Sequence, residues 1–153
     1  MMPVIDYSSA CDKMFSIANA ALIAASENVV NIADIRWPGT ERQQSPPDNV
    51  YWARVSEQVV VSGQTSLSNN VGFGGSKRYD TIGLLFIQLF CPKSDPAAVP
   101  NGRLLQTALV NAFRAPSGDS NLWFRNQTPK PMTYNPTNYQ FNVAVTYQYG
   151  EIV

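Results

Sequence analysis

The chain holds an almost unbroken apolar run, Ile82-Gly83-Leu84-Leu85-Phe86-Ile87, followed by Gln88 and then Leu89-Phe90-Cys91. A strand wet on one face alternates apolar and polar residues, so a run apolar at both parities implies cover on both faces. The run is short, contains Gly83 and is closed by Pro92, which favours strand over helix. Arg78–Pro92 is therefore predicted to be the central strand. Upstream, Tyr7, Ala10, Cys11, Met14, Ile17, Ala18, Ala21, Leu22 and Ala25 recur at helical steps. They predict a helix over Asp6–Asn28, opened by Asp6 or Ser8 and stopped near Asn28.

Val29–Ile35 reads as a short apolar bridge, Arg36–Thr40 as a Trp-Pro-Gly turn, and Glu41–Asn49 as a polar loop stiffened by Pro46-Pro47. Tyr51–Ser66 alternates. Tyr51, Ala53, Val55, Glu57, Val59 and Val61 form its core face, with Glu57 the exception, and its length suggests that part projects beyond the body. Leu67–Lys77 carries three glycines and two asparagines between two long strands, which predicts a hairpin with a long, adaptable tip. The proline-bearing Pro92–Gly102 is read as a loop, and Asn101 as the cap of a second helix over Gly102–Arg114, with Leu105, Ala108, Leu109, Ala112 and Phe113 as its buried stripe. A short aromatic strand, Leu122–Arg125, a connection over Gln127–Asn138 and a cleanly alternating strand, Tyr139–Tyr149, complete the chain. The expected fold is α+β: a mainly antiparallel sheet of about four strands with a long β-hairpin, and two helices packed on one face, in a single domain spanning residues 1–153. Two helices on one face leave the second apolar face of the central strand unexplained. Either the sheet curls over itself or a neighbouring subunit covers it.

Composition narrows the function. Charged residues are 14% of the chain, with 11 basic and 11 acidic, so the formal net charge is zero. Soluble domains ordinarily carry about 25%. A surface of amides, hydroxyls and tyrosines suits protein–protein contact, and the lack of basic excess argues against tight sequence-independent nucleic-acid binding. Histidine is absent, which removes Ser-His-Asp and Cys-His catalysis and His-metal sites. Glu57 and Asp80 are the one acidic pair placed to meet across the hairpin, with Arg54 and Arg78 as partners, and a cross-strand ion pair is the expected outcome. Gly72-Phe73-Gly74-Gly75 lacks phosphate-loop spacing. Cys11 and Cys91 are expected to be buried free thiols. No enzyme activity, cofactor or metal is expected. The N-terminus has no signal-peptide pattern, and no run is long enough for a membrane helix, so synthesis and retention in the cytoplasm are expected.

The order and texture of these segments resemble the tail terminator (tail completion) proteins of long-tailed bacteriophages. The resemblance is carried by the N-terminal helix, Arg36-Trp37-Pro38-Gly39, Pro46-Pro47 leading into Tyr51-Trp52-Ala53-Arg54-Val55, and Gly83-Leu84-Leu85-Phe86-Ile87-Gln88-Leu89-Phe90 with its proline-closed loop. The helix Gly102–Phe113 and the aromatic last strand complete it. None of these is a catalytic signature. The resemblance implies a ring, hexameric in that family, that caps the tail tube, ends its polymerisation and meets the head–neck connector protein. Its partners would be further copies of itself, the major tail tube protein and the connector, with DNA passing through the lumen without sequence readout and no membrane. It would reside in the virion at the tail–neck junction after assembly in the host cytoplasm. The alternative is another connector or stopper subunit of the neck; a small-molecule-binding monomer is a third class. The candidate contact residues are Arg36 and Trp37 with the 41–49 loop, Arg54, the hairpin positions Asn69, Asn70, Val71, Phe73, Lys77 and Arg78, and Tyr147 and Tyr149 of the last strand.

Overall fold

A computed structural model describes residues 6–39, 46–67, 77–115, 122–134 and 136–152. The first helix, α1 (Tyr7–Asn28), starts where expected: the Asp6 side chain accepts the Ser9 N–H at 2.8 Å, relieving one of the orphan donors of the first turn. Its buried face is Ala10, Met14, Ala18, Leu22 and Ala25. The Ser26 hydroxyl oxygen accepts the Ile32 N–H at 3.0 Å, which ties the end of α1 to the next element.

That element is a strand, β1 (Ile32–Arg36), where the sequence reads as a bridge. It pairs in parallel with β2 (Tyr51–Leu67), Ile32 opposite Tyr51 and Arg36 opposite Arg54. Parallel neighbours need a connection of about a dozen residues, and the chain between Arg36 and Tyr51 is long enough to supply it. β2 pairs antiparallel with β3 (Lys77–Pro92), and β3 with the last strand, which α2 (Ala98–Arg114), β4 (Leu122–Pro129) and β5 (Thr133–Tyr134) precede in the chain. That last strand is β6 (Asn138–Ile152). The sheet order is β1-β2-β3-β6-β4, with β5 also against β6. The α+β class, the mainly antiparallel sheet and the helices on one face are as expected. The strand path has five members rather than four.

Three boundaries differ for physical reasons. Helix α2 begins at Ala98, not Gly102. Pro100 falls within the first turn, where no intrahelical acceptor exists for its missing N–H. The orphan N–H groups of Ala97 and Ala98 are accepted by Asp95, at 2.9 Å by its side chain and 3.1 Å by its carbonyl. Asn101 does not cap; it donates to the Tyr51 hydroxyl at 3.1 Å. Strand β4 continues to Pro129, through a register shift between Arg125 and Thr128 where Asn126 takes φ 54°, so its alternation breaks and the sequence pattern hides its second half. In β2 a bulge between Val59 and Val61 moves Val61 opposite Ile82. One extra residue flips every later side chain, so Val61 lies on the face away from the helices rather than on the core face.

The core lies between the helices and one face of the sheet. Ala53, Val55, Leu85, Ile87, Leu89, Phe141, Val143, Val145 and Tyr147 join the stripes of α1 and α2 in one buried cluster. Helix α2 comes close because Gly102 is bare: a Cβ there would lie 2.2 Å from the Phe141 ring. Along β3 the odd positions from Thr81 to Cys91 are buried beneath the helices, while Ile82, Leu84, Phe86 and Gln88 are only half-buried.

Candidate functional site

The face of the sheet opposite the helices carries a distinctive side-chain cluster, in which Trp52 and Phe90 are themselves buried. Trp52 and Phe90 are opposite one another on β2 and β3, and their rings stack at 4.0 Å with an interplanar angle of 9°. The Arg36 guanidinium lies over Trp52 and that of Arg54 over Phe90, each 5.5 Å from the ring centre. Two cations thus bracket an aromatic pair, an arrangement favoured by the ring quadrupoles. Arg36 also pairs with Asp34 at 3.0 Å, and Arg54 donates to the Gln88 side chain at 2.7 Å. Beyond this stack run Phe86, Leu84 and Ile82 on β3, flanked by Ser56 and Gln58 on β2 and by Ala144, Thr146 and Gln148 on β6. Arg125 on β4 donates to Gln148. The result is an apolar stripe edged with amides, hydroxyls and arginines, with no described element packed over it.

Past the bulge, β2 and β3 run on together with β6 still paired to β3. Val60 and Val61 are 59% and 55% exposed there. Trp123, near the start of β4 at the opposite end of the sheet, is 43% exposed.

A second cluster sits on the helix face. Glu57, the polar exception in an apolar parity, does not meet Asp80: Glu57 lies opposite Leu85 and Asp80 opposite Gly63, about 20 Å along the strand. The strand register therefore does not bring these two carboxylates together. Glu57 instead accepts hydrogen bonds from the hydroxyls of Tyr7 on α1 and Tyr147 on β6, the latter at 2.9 Å. The bond to Glu57 lifts the Tyr7 hydroxyl well above the usual tyrosine range; burial, then Glu57, does the same for Tyr147. One carboxylate so braces α1, β2 and β6 together. Gly83 makes this possible, because a Cβ there would lie 2.4 Å from the Tyr147 hydroxyl. The signal in the sequence is the misplaced Glu57 itself. Its partners lie 50 residues before and 90 residues after it, beyond any local pattern.

A third feature is a groove of about 310 Å³ along α2, lined by Arg103, Gln106, Thr107, Val110, Asn111, Arg114 and Pro129. Gln106 is buried and donates to the carbonyls of Lys130 and Asn142, both at 2.9 Å. Cys91 is buried and Cys11 half-buried, both free thiols. Among the described residues no group of three or more potential ligands is placed to hold a metal ion, and no helix is long and apolar enough to cross a membrane.

Of the contact residues expected from the sequence, Arg36 and Arg54 come together on the open face. Trp37 packs on Phe15 of α1, ring centres 5.5 Å apart, and so lies partly buried against the chain's own core. Tyr147 and Tyr149 are corrected: both are buried on the helix face and offer no surface to a partner. Lys77 and Arg78 begin β3, opposite Leu67 and Ser66. Asn69, Asn70, Val71 and Phe73, with residues 41–45 of the loop, lie outside the described residues. Trp52, Phe90 and Trp123 were not singled out from the sequence. Their signal was the unexplained second face.

No family model matches the chain, and no curated protein matches it.

Proposed function

We propose that the chain is a structural, non-catalytic subunit of a bacteriophage tail terminator. Copies of it close into a ring, six by the family resemblance, which sits on the end of the tail tube, stops tube growth and meets the head–neck connector. The observation that carries this reading is the one-sided sheet. Both helices cover one face, while the other keeps a half-buried apolar stripe of Ile82, Leu84 and Phe86 beside exposed Val61. Monomers seldom leave such a surface contiguous, and interfaces use aromatic, arginine and amide side chains of this kind. The zero formal charge supports passage of DNA through a lumen without capture.

A connector or stopper subunit of the neck is the second reading, since the same open face serves any ring. The test is functional. Purified protein is mixed with polymerising tail tube subunits and tube length is measured by negative-stain microscopy. A terminator caps and shortens the tubes; unchanged tube length overturns this reading and favours the second. The Ser66–Arg78 segment is expected to touch a neighbour or the tube. Replacement of Leu67–Lys77 by a two-residue turn should leave the fold intact and abolish capping.

A further inference from the structure

The described sheet has two open edges, and they stand at the same level. Strand β1 pairs with β2 only as far as Arg54, so from Val55 onward no described strand lies on that side of β2. At the far end, β4 pairs with β6 alone. Register partners can be followed straight across. Trp123 is opposite Gln148, Gln148 opposite Ile82, and Ile82 opposite Val61. Trp123 and Val61 therefore end one row, on one face, and are 43% and 55% exposed. The direction also fits. Three antiparallel pairings separate β2 from β4, so the two outer strands run in opposite senses. A second copy displaced along the sheet would present its β4 antiparallel to this β2.

Of the usual edge protections, β2 has bulges but neither lysine nor proline. From Val55 to Leu67 it has no Lys, Arg or Pro, the residues that blunt free edges. Its single charge, Glu57, is tied to Tyr7 and Tyr147. The bulge at Val60 adds local twist and bend, the device that lets a sheet curve toward closure.

We propose that a second copy of this chain adds residues Trp123–Arg125 of its β4 to the free edge of β2 around Val59–Ser62, head to tail, seating Trp123 against Val61. The proposal rests on the ring reading and deepens it. Aromatic and β-branched residues facing one another across strands are favourable pairs. Because the two edges differ, each added copy leaves one edge of each kind open until rotation closes the set.

The test uses Val61→Lys and Trp123→Lys, both at side chains about half exposed, so that the protomer fold is retained by circular dichroism. On a sizing column with light scattering, the wild-type chain is expected as an assembly and each variant as a protomer. An equimolar mixture of the two variants is expected at the mass of a dimer and no larger, since Val61→Lys keeps a working β4 edge and Trp123→Lys a working β2 edge. The double variant Val61→Lys/Trp123→Glu, which places opposite charges at the seam, is expected to regain assembly. Variants that keep the wild-type mass, a mixture that stays protomeric, or a wild-type chain that is a protomer at every concentration each overturn the proposal. Tube capping is read separately. A chain that pairs this way but leaves tube length unchanged sinks the terminator reading alone; one that caps tubes while both variants still assemble sinks the edge contact alone.

Discussion

Gly83 is the position where one methyl group has the most to disturb. In an unstrained strand, Gly→Ala stabilises by about 0.4–1 kcal/mol, because the unfolded chain loses freedom. At Gly83 the added Cβ would lie 2.4 Å from Cζ and the hydroxyl oxygen of Tyr147 and 2.5 Å from the Gln58 carbonyl oxygen. The carbonyl belongs to the β2 backbone and cannot swing aside, and the Tyr147 ring is wholly buried. Overpacking of this kind costs about 1–3 kcal/mol. A Tyr147 ring pushed out of place also gives up its bond to Glu57, and a hydrogen bond to a charged group is worth about 1.5–3 kcal/mol. The losses exceed the entropic gain, so Gly83→Ala is expected to destabilise by roughly 2–5 kcal/mol. Gly63, on β2 past the bulge, has nothing within 4 Å of its would-be Cβ. Gly63→Ala is expected to stabilise by about 0.4–1 kcal/mol. Urea unfolding followed by tryptophan fluorescence measures both, at one fixed protein concentration because assembly adds to apparent stability. Tyr147→Phe should cost much less in the Gly83→Ala background than alone, since the bond it removes is already broken. A Gly83→Ala protein within about 0.5 kcal/mol of wild type, or equal costs of Tyr147→Phe in both backgrounds, would refute the packing account.

Three further outcomes are expected. Burial, with a contribution from Asp95, pushes the Tyr51 hydroxyl up to about 12, and Tyr7 and Tyr147 are raised as well. A raised folded value favours the neutral phenol, so this stability is complete below the unfolded tyrosine value of about 10 and drains away as pH climbs from there through about 12; the melting temperature should fall over that window, less steeply in Tyr51→Phe, and a flat profile would count against the burial of these hydroxyls. Gln106→Leu leaves the Lys130 carbonyl without its donor while Asn142 keeps the Lys130 N–H at 2.8 Å, so a loss of about 1–3 kcal/mol is expected in the same urea assay, and an unchanged midpoint would show that water replaces the amide. Burial pushes the Cys91 thiol up to about 12 and also raises Cys11, which is partly exposed; near neutral pH, iodoacetamide mapped by mass spectrometry should label Cys11 slowly and Cys91 only on unfolding, whereas Cys91 labelling in the native protein would contradict its burial.

The elements whose evidence is local were legible. Helix α1 follows from its periodic stripe and the Asp6 cap, and β6 from alternation unbroken over eleven residues of the Tyr139–Tyr149 reading. Where the pattern was interrupted, reading failed. Residues 32–36 are a strand only because β2 lies beside them, and no periodicity over five residues reports a parallel neighbour. The bulges in β2 and β4 reverse parity without a sequence marker, so Val61 was placed on the wrong face and Gln127–Pro129 in a loop. Of the open face, Arg36 and Arg54 were recognised, but Trp52 and Phe90 were not, because a stack across two strands depends on register.

Two amphipathic helices, a long hairpin, a central strand apolar at both parities and the lack of histidine chemistry are all readable from the order of residues. Hydrophobic period and composition carry that information, since each is a property of neighbours along the chain. Tertiary structure alone decided which residues meet across the sheet. It joined Glu57 to two distant tyrosines, put Arg36 and Arg54 over one aromatic pair, and set Val61 and Trp123 at opposite ends of one row. Register and bulges fix those meetings, and a one-residue slip would undo all of them.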